Sequence, residues 1–402
     1  MQLIKEEMTL QDRVNAISKD ILSSSQKNEY KGADPFDGLN SKFFNLFPSL
    51  KKGYFGLAWI QFHKRSVVNF RDLFFIPKGR NPKGIGLFIL GLIEQYKKTN
   101  SSDYLNEAIE LADWLLTVKS DVKEWGHACW GYHFDWNARA FFVPKGKPNV
   151  ITTIYVSQAL LALSELTNNN EYKNAAIDAA YFIKKSLLSE VDGKPFIAYI
   201  PGEKAFVHNA SLWGAAWLAK VSTINQDSEL ATIALDVAKL SVDEQGEDGS
   251  WVYGHREHHQ FIDGFHSGYN LEALHLIKES LNTDIFDESI AKGLDYYRKS
   301  FFSEEGAAKY YNNNQYPLDM HSVSQAIFTL LKVGGTAEDI KQVEKTINWS
   351  IDKLYLNNKK KFIYQKTPLF TNSTNYIRWT QAWVFYSFSY FSNQRNAINE
   401  NN

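Results

Sequence analysis

The feature that most constrains the fold is a repeat of about 56 residues, marked by a small residue within an apolar segment. Ser-Gln-Ala occurs at 157–159 and again at 324–326, and Thr-Gln-Ala follows at 380–382. The small positions fall at steps of 56, 58, 53 and 56 residues, after an earlier glycine; they are Gly91, Ala159, Ala215, Ala273, Ala326 and Ala382. The chain is therefore expected to be an array of similar units.

Each unit has the pattern of a helical hairpin. The second segment of a unit carries one apolar stripe at steps of three and four, as at 230–240, which is typical of an amphipathic helix. The first segment is apolar on nearly all sides, which indicates a helix buried on most faces. These predicted inner helices lie at 84–97, 150–166, 209–222, 267–280, 322–333 and 377–391.

Six buried helices alternating with about six striped ones predict an all-α protein, an (α/α)6 toroid. The small residues would let the inner helices approach closely. We expect one domain over 1–402, with an outer helix and an extended segment in 1–50 and a frayed tail at 393–402. Asp34 and Asp37 of the extended segment would anchor the outer layer or fold back toward the funnel. An open two-layer solenoid is the alternative, but six units without polar capping repeats favour closure.

The connections that precede the inner helices are long and rich in aromatic, glycine and polar residues, whereas the opposite links, such as 167–170 and 222–227, are short. All the long loops would emerge on one rim of the toroid. Loops gathered on one face of a rigid scaffold are where function usually resides. They are 123–149, 193–208, 247–266, 307–321 and 360–376.

Acidic and histidine side chains stand where these loops enter the inner helices. The candidate catalytic residues are Asp135, His208, Asp263, His266, Asp319 and His321. A helix N-terminus disfavours a protonated imidazole, and a neutral histidine can serve as a general base. Aspartate at a helix start is also an ordinary cap. Because all six fall on one predicted rim, we predict acid–base chemistry there.

Aromatic and arginine side chains in the same loops are candidates for substrate binding. Most of the 59 Trp, Tyr and Phe residues must be core. Those in polar loops could stack on sugar faces, and arginines beside them could pair with a carboxylate or phosphate on a sugar. The predicted binding residues are Trp130, Tyr132, Trp136, Arg139, Trp251, Tyr253 and Arg378.

Composition limits the partners. The formal net charge is −1, from 44 basic and 45 acidic residues without a long run of either sign, so nucleic acid is not expected. Cys129 is the single cysteine, which excludes an internal disulfide and a multi-cysteine zinc site. The histidines of GHREHH (254–259) have no metal-ligand spacing, and we predict no metal or cofactor. With no long apolar stretch and no apolar signal region, a cytoplasmic protein without a membrane span is expected.

Motifs spread over nearly the whole chain carry a resemblance. They are YKGADPFDGLNS (30–41), NPKGIGLFILG (81–91), WGYHFDW (130–136), IDGFHSGYNLEAL (262–274) and PLDMHSVSQAI (317–327). These stretches resemble a family of soluble α/α-toroid proteins associated with bacterial exopolysaccharide and O-antigen biosynthesis. The resemblance implies a place in polysaccharide metabolism, with polysaccharide-assembly enzymes as possible partners.

More distantly, the architecture is similar to six-hairpin glycosidases, unsaturated glucuronyl hydrolases, N-acylglucosamine 2-epimerases, uronyl C5-epimerase toroids and lanthionine cyclases. The cyclase zinc site needs two cysteines and a histidine, which one cysteine contradicts. The catalytic sets of the hydrolases and epimerases cannot be matched to this sequence residue by residue, so no roles are transferred from them.

Two functions remain open. The first is an enzyme that hydrolyses or epimerises a glycan or sugar derivative; the second is a non-catalytic scaffold that binds a glycan or a partner in polysaccharide biosynthesis. Carboxyl groups converging within about 10 Å would favour the enzyme, and carboxylates serving only as helix caps would favour the scaffold. An isoprenoid-handling toroid would need an Asp-rich motif, which DGFH and LDMH do not supply.

Overall fold

Helices make up most of the part of the chain that the computed structural model describes, residues 8–137 and 142–400. In chain order they are α1 (Leu10–Lys27), α2 (Phe43–Leu46), α3 (Gly53–Arg65), α4 (Pro82–Thr99), α5 (Ser102–Thr117), α6 (Val122–Trp125), α7 (Val150–Thr167), α8 (Asn170–Phe182), α9 (His208–Asn225), α10 (Ser228–Asp243), α11 (Gly264–Leu281), α12 (Asp287–Ser300), α13 (Met320–Phe328), α14 (Ala337–Leu354) and α15 (Ala382–Glu400). Turns of π-helix extend α13 over Thr329–Gly334 and precede α15 over Ile377–Gln381.

The six predicted inner helices are all present and form a closed ring. Each packs on the next, and the last packs on the first; in order around the ring they are α4, α7, α9, α11, α13 and α15. An outer helix packs on each inner one: α1 on α15, and α5, α8, α10, α12 and α14 on the inner helix that precedes each. The (α/α)6 toroid is therefore confirmed, and the open solenoid is wrong, because an open array would leave α4 and α15 apart.

The inner helices repeat their end signals as well as their apolar surfaces. Asn81, Asn149, Asp263 and Asp319 are N-caps whose side chains accept backbone N–H groups of the first turn. Four inner helices end at a residue in the left-handed conformation, Asn100, Asn168, Gln226 or Asn282, with φ between 47° and 55°. These local signals fix where each helix begins and ends.

The small residues of the repeat do permit close helix packing. All five alanines are buried. A Cβ added at Gly91 would lie 2.6 Å from the Phe385 ring, so α4 and α15 approach as closely as they do only because the side chain is missing.

The long loops lie at the N-terminal ends of the inner helices and contain short antiparallel strands. The strands are β1 (Trp136–Asn137), β2 (Phe142–Val143), β3 (Leu188–Val191), β4 (Lys194–Ile197), β5 (Leu318–Asp319), β6 (Tyr355–Leu356), β7 (Lys361–Phe362), β8 (Gln365–Lys366) and β9 (Thr371–Asn372). The pairs are β1–β2, β3–β4 and β6–β7, and the sheet β5–β8–β9 joins the loops that precede the last two inner helices. Strand pairing thereby helps to hold the loops together at a single rim.

Residues near the C-terminus continue the last inner helix. Residues 393–400, predicted to fray, continue α15, and Asn393 Nδ2 donates to Glu94 Oε2 at 2.7 Å; residues 401 and 402 lie outside the described part.

Among the described helices, α7 alone is long and apolar enough to cross a membrane, but 72% of that stretch is buried inside the ring. A buried inner helix has this composition without any contact with lipid.

Candidate functional site

A cavity of about 500 Å³ opens at the loop end of the ring. Its floor is formed by the first turns of the inner helices, and its walls by the long loops and α3. The floor residues are Lys83, Ile151, Asn209, Phe265, His266, Tyr269, His321, Arg378 and Trp379. Cavities of this volume are in the range of small-molecule sites.

His266 is held by Asp263. Asp263, the N-cap of α11, accepts the His266 backbone N–H at 2.8 Å, and its other carboxylate oxygen lies 2.7 Å from His266 Nδ1. A carboxylate can only accept, so Nδ1 carries the proton, which leaves the Nε2 lone pair as the basic atom of the ring. Asp263 is buried and does not line the cavity, whereas His266 does.

His321 is the second imidazole of the floor. Its Nε2 lies 2.9 Å from the Tyr269 hydroxyl, and its ring stacks on Trp383 at 4.8 Å. Burial, assisted by the positive charge of Lys83, lowers the pKa of His321 well below its usual range. Its ring centroid and that of His266 lie 4.6 and 4.0 Å from the ring of Phe265, so two histidines of adjacent inner helices pack against the same aromatic ring.

Lys83 is a floor residue that sequence reasoning missed. Its ammonium is buried 3.4 Å from the Tyr269 hydroxyl and lies over the rings of Tyr155 and Trp383, at 4.5 and 5.1 Å. Within the described part of the chain it forms no salt bridge, and burial lowers its pKa well below the usual range. The available signal was a lysine in the first turn of a helix that is otherwise apolar on all sides.

Arg378 reaches the cavity from the π-helical turn before α15. It binds Asp34 through two hydrogen bonds, Nε to Oδ2 at 2.6 Å and Nη2 to Oδ1 at 2.8 Å, and both side chains are buried. Its guanidinium lies 5.0 Å from the Tyr132 ring. The extended N-terminal segment therefore folds back to the cavity through Asp34, while Asp37 pairs with buried Arg71 at 2.8 Å.

Aromatic rings form much of the wall. Three of the predicted binding residues, Tyr132, Trp136 and Tyr253, line the cavity, and the Tyr253 ring lies 4.5 Å from His266. Tyr132 shares a hydrogen bond of 2.7 Å with Tyr199. Eight further aromatic residues line the cavity that were not predicted from the sequence: Phe36, Phe134, Tyr199, Phe261, Phe265, Tyr269, Tyr310 and Trp379.

Besides the three aspartates, two predicted aromatic residues and one predicted histidine do not line the cavity. Trp130 and Trp251 are core residues, and each indole N–H donates to a carbonyl of a neighbouring outer helix, Leu115 O or Ser241 O, at 2.8 Å. His208 lies 3.1 Å from Ser241 Oγ, and burial lowers its pKa to about 3. These side chains turn outward to α5 and α10 and form hydrogen bonds with polar groups there. Arg139 lies outside the described residues.

The carboxylates do not converge on the cavity. Asp135 accepts from Lys51 Nζ at 2.6 Å and from the Lys145 N–H at 2.7 Å, and it does not line the wall. Asp319 is a buried cap that accepts the Ser322 N–H, and burial raises its pKa to about 6. Among the described residues, Glu203 is the carboxylate that lines the cavity, and it pairs with Arg256 at 2.8 Å.

The wall carries more positive than negative charge. Against Glu203 it presents five cationic residues: Lys64, Arg65, Lys83, Arg256 and Arg378. Glu203 and Asp34 offset Arg256 and Arg378, which leaves three of these cations without a salt bridge inside the described chain. No group of three or more His, Cys, Asp or Glu suited to a metal occurs among the described residues.

Solved structures share this architecture. The chain is similar to a GH76 α-mannanase of Bacteroides thetaiotaomicron (TM-score 0.62, 13% identity, covering 79% of this chain and 87% of that one). It is similar to the cellobiose 2-epimerase of Bacillus thermoamylovorans (0.59, 12%, 78% and 87%) and to an unsaturated glucuronyl hydrolase specific for heparin (0.63, 11%, 98% and 98%). At these identities the likeness establishes the fold. No protein-family model and no curated protein sequence matches the chain.

Proposed function

We propose that this protein is a carbohydrate-active enzyme that transfers a proton on an acidic sugar, epimerising or isomerising it at a carbon beside a carbonyl group. One observation carries the proposal: two imidazoles, His266 and His321, line the floor of one cavity beside the Phe265 ring, and the first has its basic Nε2 set by Asp263. Proton transfer at carbon needs a base of this kind within reach of the substrate.

Roles follow from the contacts. His266 Nε2 takes the proton from carbon, and the bonding electron pair moves to the carbonyl oxygen to give an enolate. His321, Tyr269 and Lys83 form a hydrogen-bonded row that can stabilise this oxyanion. The His266 imidazolium then returns the proton to the opposite face of the same carbon, after the enolate has turned over in the cavity, which epimerises the sugar and restores the carbonyl group. Return to the neighbouring carbon isomerises the sugar when the proton of the adjacent hydroxyl passes to the enolate oxygen, so that atoms and charge balance over the cycle.

Hydrolysis by a pair of carboxylates has less support. Such cleavage needs two carboxyl groups on either side of the scissile bond, about 5 to 10 Å apart. Asp263 and Asp319 are buried caps, Asp135 binds lysine groups outside the wall, and Glu203 is paired with Arg256. The wall thus offers imidazoles where a hydrolase of this kind would offer carboxylates.

The charge of the wall favours an anionic substrate, such as a uronic acid or a sugar phosphate. Lys64, Lys83 and Arg65 form no salt bridge in the described chain, and a carboxylate or phosphate would supply a counter-charge. Tyr132, Trp136 and Tyr253 provide faces for the pyranose ring. A place in polysaccharide biosynthesis, with assembly enzymes as partners, remains a prediction of the sequence resemblance. A cytoplasmic location remains a prediction from the apolar pattern of the sequence.

The test is solvent-deuterium incorporation followed by NMR. The protein would be incubated in D₂O with a panel of uronic acids, sugar phosphates and neutral mono- and disaccharides. We expect deuterium at the carbon beside the carbonyl, and new isomers, for an anionic sugar. His266→Gln should reduce the rate by about 10² to 10⁴, the usual contribution of a general base.

His127→Gln is the matched control. His127 also lies 2.7 Å from an aspartate, Asp178, but on the outer surface of the toroid, so its loss should leave the exchange unchanged. Hydrolysis products without deuterium at carbon would overturn the proposal. Binding of a sugar by calorimetry without exchange or product would instead support the non-catalytic scaffold.

A further inference from the structure

Residues 42–80 form an exposed apolar surface beside the mouth of the cavity. Of the 16 large hydrophobic residues exposed in the described chain, ten lie in this segment, with exposed fractions from 38% to 93%. They are Phe43, Leu46, Phe47, Tyr54, Phe55, Phe62, Val67, Val68, Leu73 and Phe75. A concentration of this kind marks a binding surface, because single exposed apolar residues are scattered on most proteins.

The aromatic members are continuous. Trp59 at the centre of α3 lies within 6.3 Å of the rings of Phe43, Phe55 and Phe62. Phe43 in turn contacts Phe47 at 5.2 Å. Phe55, Trp59 and Phe62 are spaced to share one face of α3, so the rings form a single ridge along the helix. We call this ridge, with residues 42–80 around it, the aromatic face.

The same segment is strongly basic. It holds eight Lys and Arg residues and one acidic residue, Asp72, a net charge of +7 in a chain whose total is −1, so that the remainder carries −8. Some of these cations form salt bridges within the chain: Arg71 pairs with Asp37, and Lys51 pairs with Asp135. Lys42, Lys52, Arg65 and Lys78 are exposed around the apolar residues.

The charge and composition of the aromatic face indicate which kind of partner binds it. A second copy of the chain on a two-fold axis would place one +7 segment against another, which opposes association. Protein interfaces are depleted of lysine, whereas surfaces that lie in a bilayer interface combine Lys and Arg with Phe, Trp and Leu. We propose that the aromatic face docks on an anionic lipid bilayer, with the rings entering the headgroup layer and the cations meeting its phosphates.

Docking would also orient the site. The face of α3 opposite the ridge, with Leu57, Ile60 and Gln61, lines the cavity. One helix thus separates the aromatic face from the cavity, and a docked molecule holds the cavity mouth beside the headgroups. This geometry is independent of the chemistry proposed for the floor, so either proposal can fail alone.

Vesicle flotation tests the inference. The full chain would be mixed with vesicles of phosphatidylcholine alone or with 30% phosphatidylglycerol added, at low and high salt. We expect at least tenfold more protein on the anionic vesicles, and binding that weakens as salt rises. Phe47→Ser/Phe55→Ser should abolish flotation, and Lys42→Glu/Lys52→Glu should weaken it by about fivefold or more per position.

Ile285→Ser/Lys173→Glu is the control, since it removes an exposed apolar residue and an exposed cation at the other end of the toroid. It should float like the wild type, and all variants should keep the wild-type circular dichroism and melting curve. Equal flotation on neutral and anionic vesicles, or none on either, would overturn the proposal. So would a dimer in sedimentation velocity that Phe47→Ser/Phe55→Ser dissolves, because the aromatic face would then bind a second copy.

Discussion

Among single residues, the buried carboxyl group of Asp319 makes the free energy of unfolding depend on pH. Asp319 is buried, one of its carboxylate oxygens lacks a hydrogen-bond partner, and burial raises its pKa to about 6. The folded state therefore binds this proton more tightly than the unfolded state. The resulting stabilisation is complete below the unfolded pKa of 3.8 and is lost as the pH rises through about 6.

Asp319→Asn should remove this dependence. Asparagine keeps the helix cap, so the variant should fold. Relative to the wild type, its free energy of unfolding should improve between pH 4 and pH 7, by up to about 3 kcal/mol. Urea denaturation of both proteins at pH 4.5, 6 and 7.5 measures the difference. A difference that stays constant with pH would mean that Asp319 is charged in the folded state at every pH tested.

At the scale of the elements, the repeat acts through the distance between helices. Gly91 faces the Phe385 ring, and any side chain there must push α4 from α15. The alanines at the equivalent positions are all buried, so each of them lies within the packed interior of the ring. The helix ends, by contrast, depend on Asn and Asp caps whose effect is confined to one turn.

Gly91→Leu should destabilise the protein by about 1 to 3 kcal/mol, because overpacking a tight helix contact forces the helices apart. Ala291→Leu is the matched control, since Ala291 is exposed on the outer helix α12. It should change the free energy of unfolding by no more than about 0.5 kcal/mol. Thermal melts followed by circular dichroism compare the two. Equal stability of both variants would show that α4 and α15 can separate at no cost.

At the scale of the whole molecule, ring closure joins the two ends of the chain. α15 packs on both α1 and α4, and Asp34 binds Arg378 across 344 positions of sequence. Almost all inner and outer helices share one apolar core. The whole chain should therefore behave as the single domain expected from the repeat.

We predict one cooperative thermal transition. Calorimetry and far-ultraviolet circular dichroism should give the same midpoint, and the calorimetric enthalpy should equal the van't Hoff enthalpy. Separate transitions, or an early loss of the signal from one half of the ring, would show that the toroid contains more than one cooperative unit.

The closed ring of helices could be predicted from the sequence. Period, apolar surface and cap residues are local properties, so six buried helices, their small contact residues and the loop rim could all be predicted. The sequence also placed His266 and His321 at that rim, because both stand one turn into helices with Asp caps. It did not separate the Asp residues that cap from those that face a substrate.

Only the tertiary structure decided which side chains line the cavity. That depends on the rotation of each helix about its axis and on contacts between residues far apart in sequence. Trp130, Trp251 and His208 turned to the outer helices, where a carbonyl or hydroxyl forms a hydrogen bond with the indole N–H of each tryptophan and with Nδ1 of the histidine. Lys83 turned inward to the floor, and its signal in the sequence was its place in the first turn of an otherwise apolar helix. The direction in which a side chain points around its helix axis is set by its packing partners. Those partners come together only when the ring of helices closes.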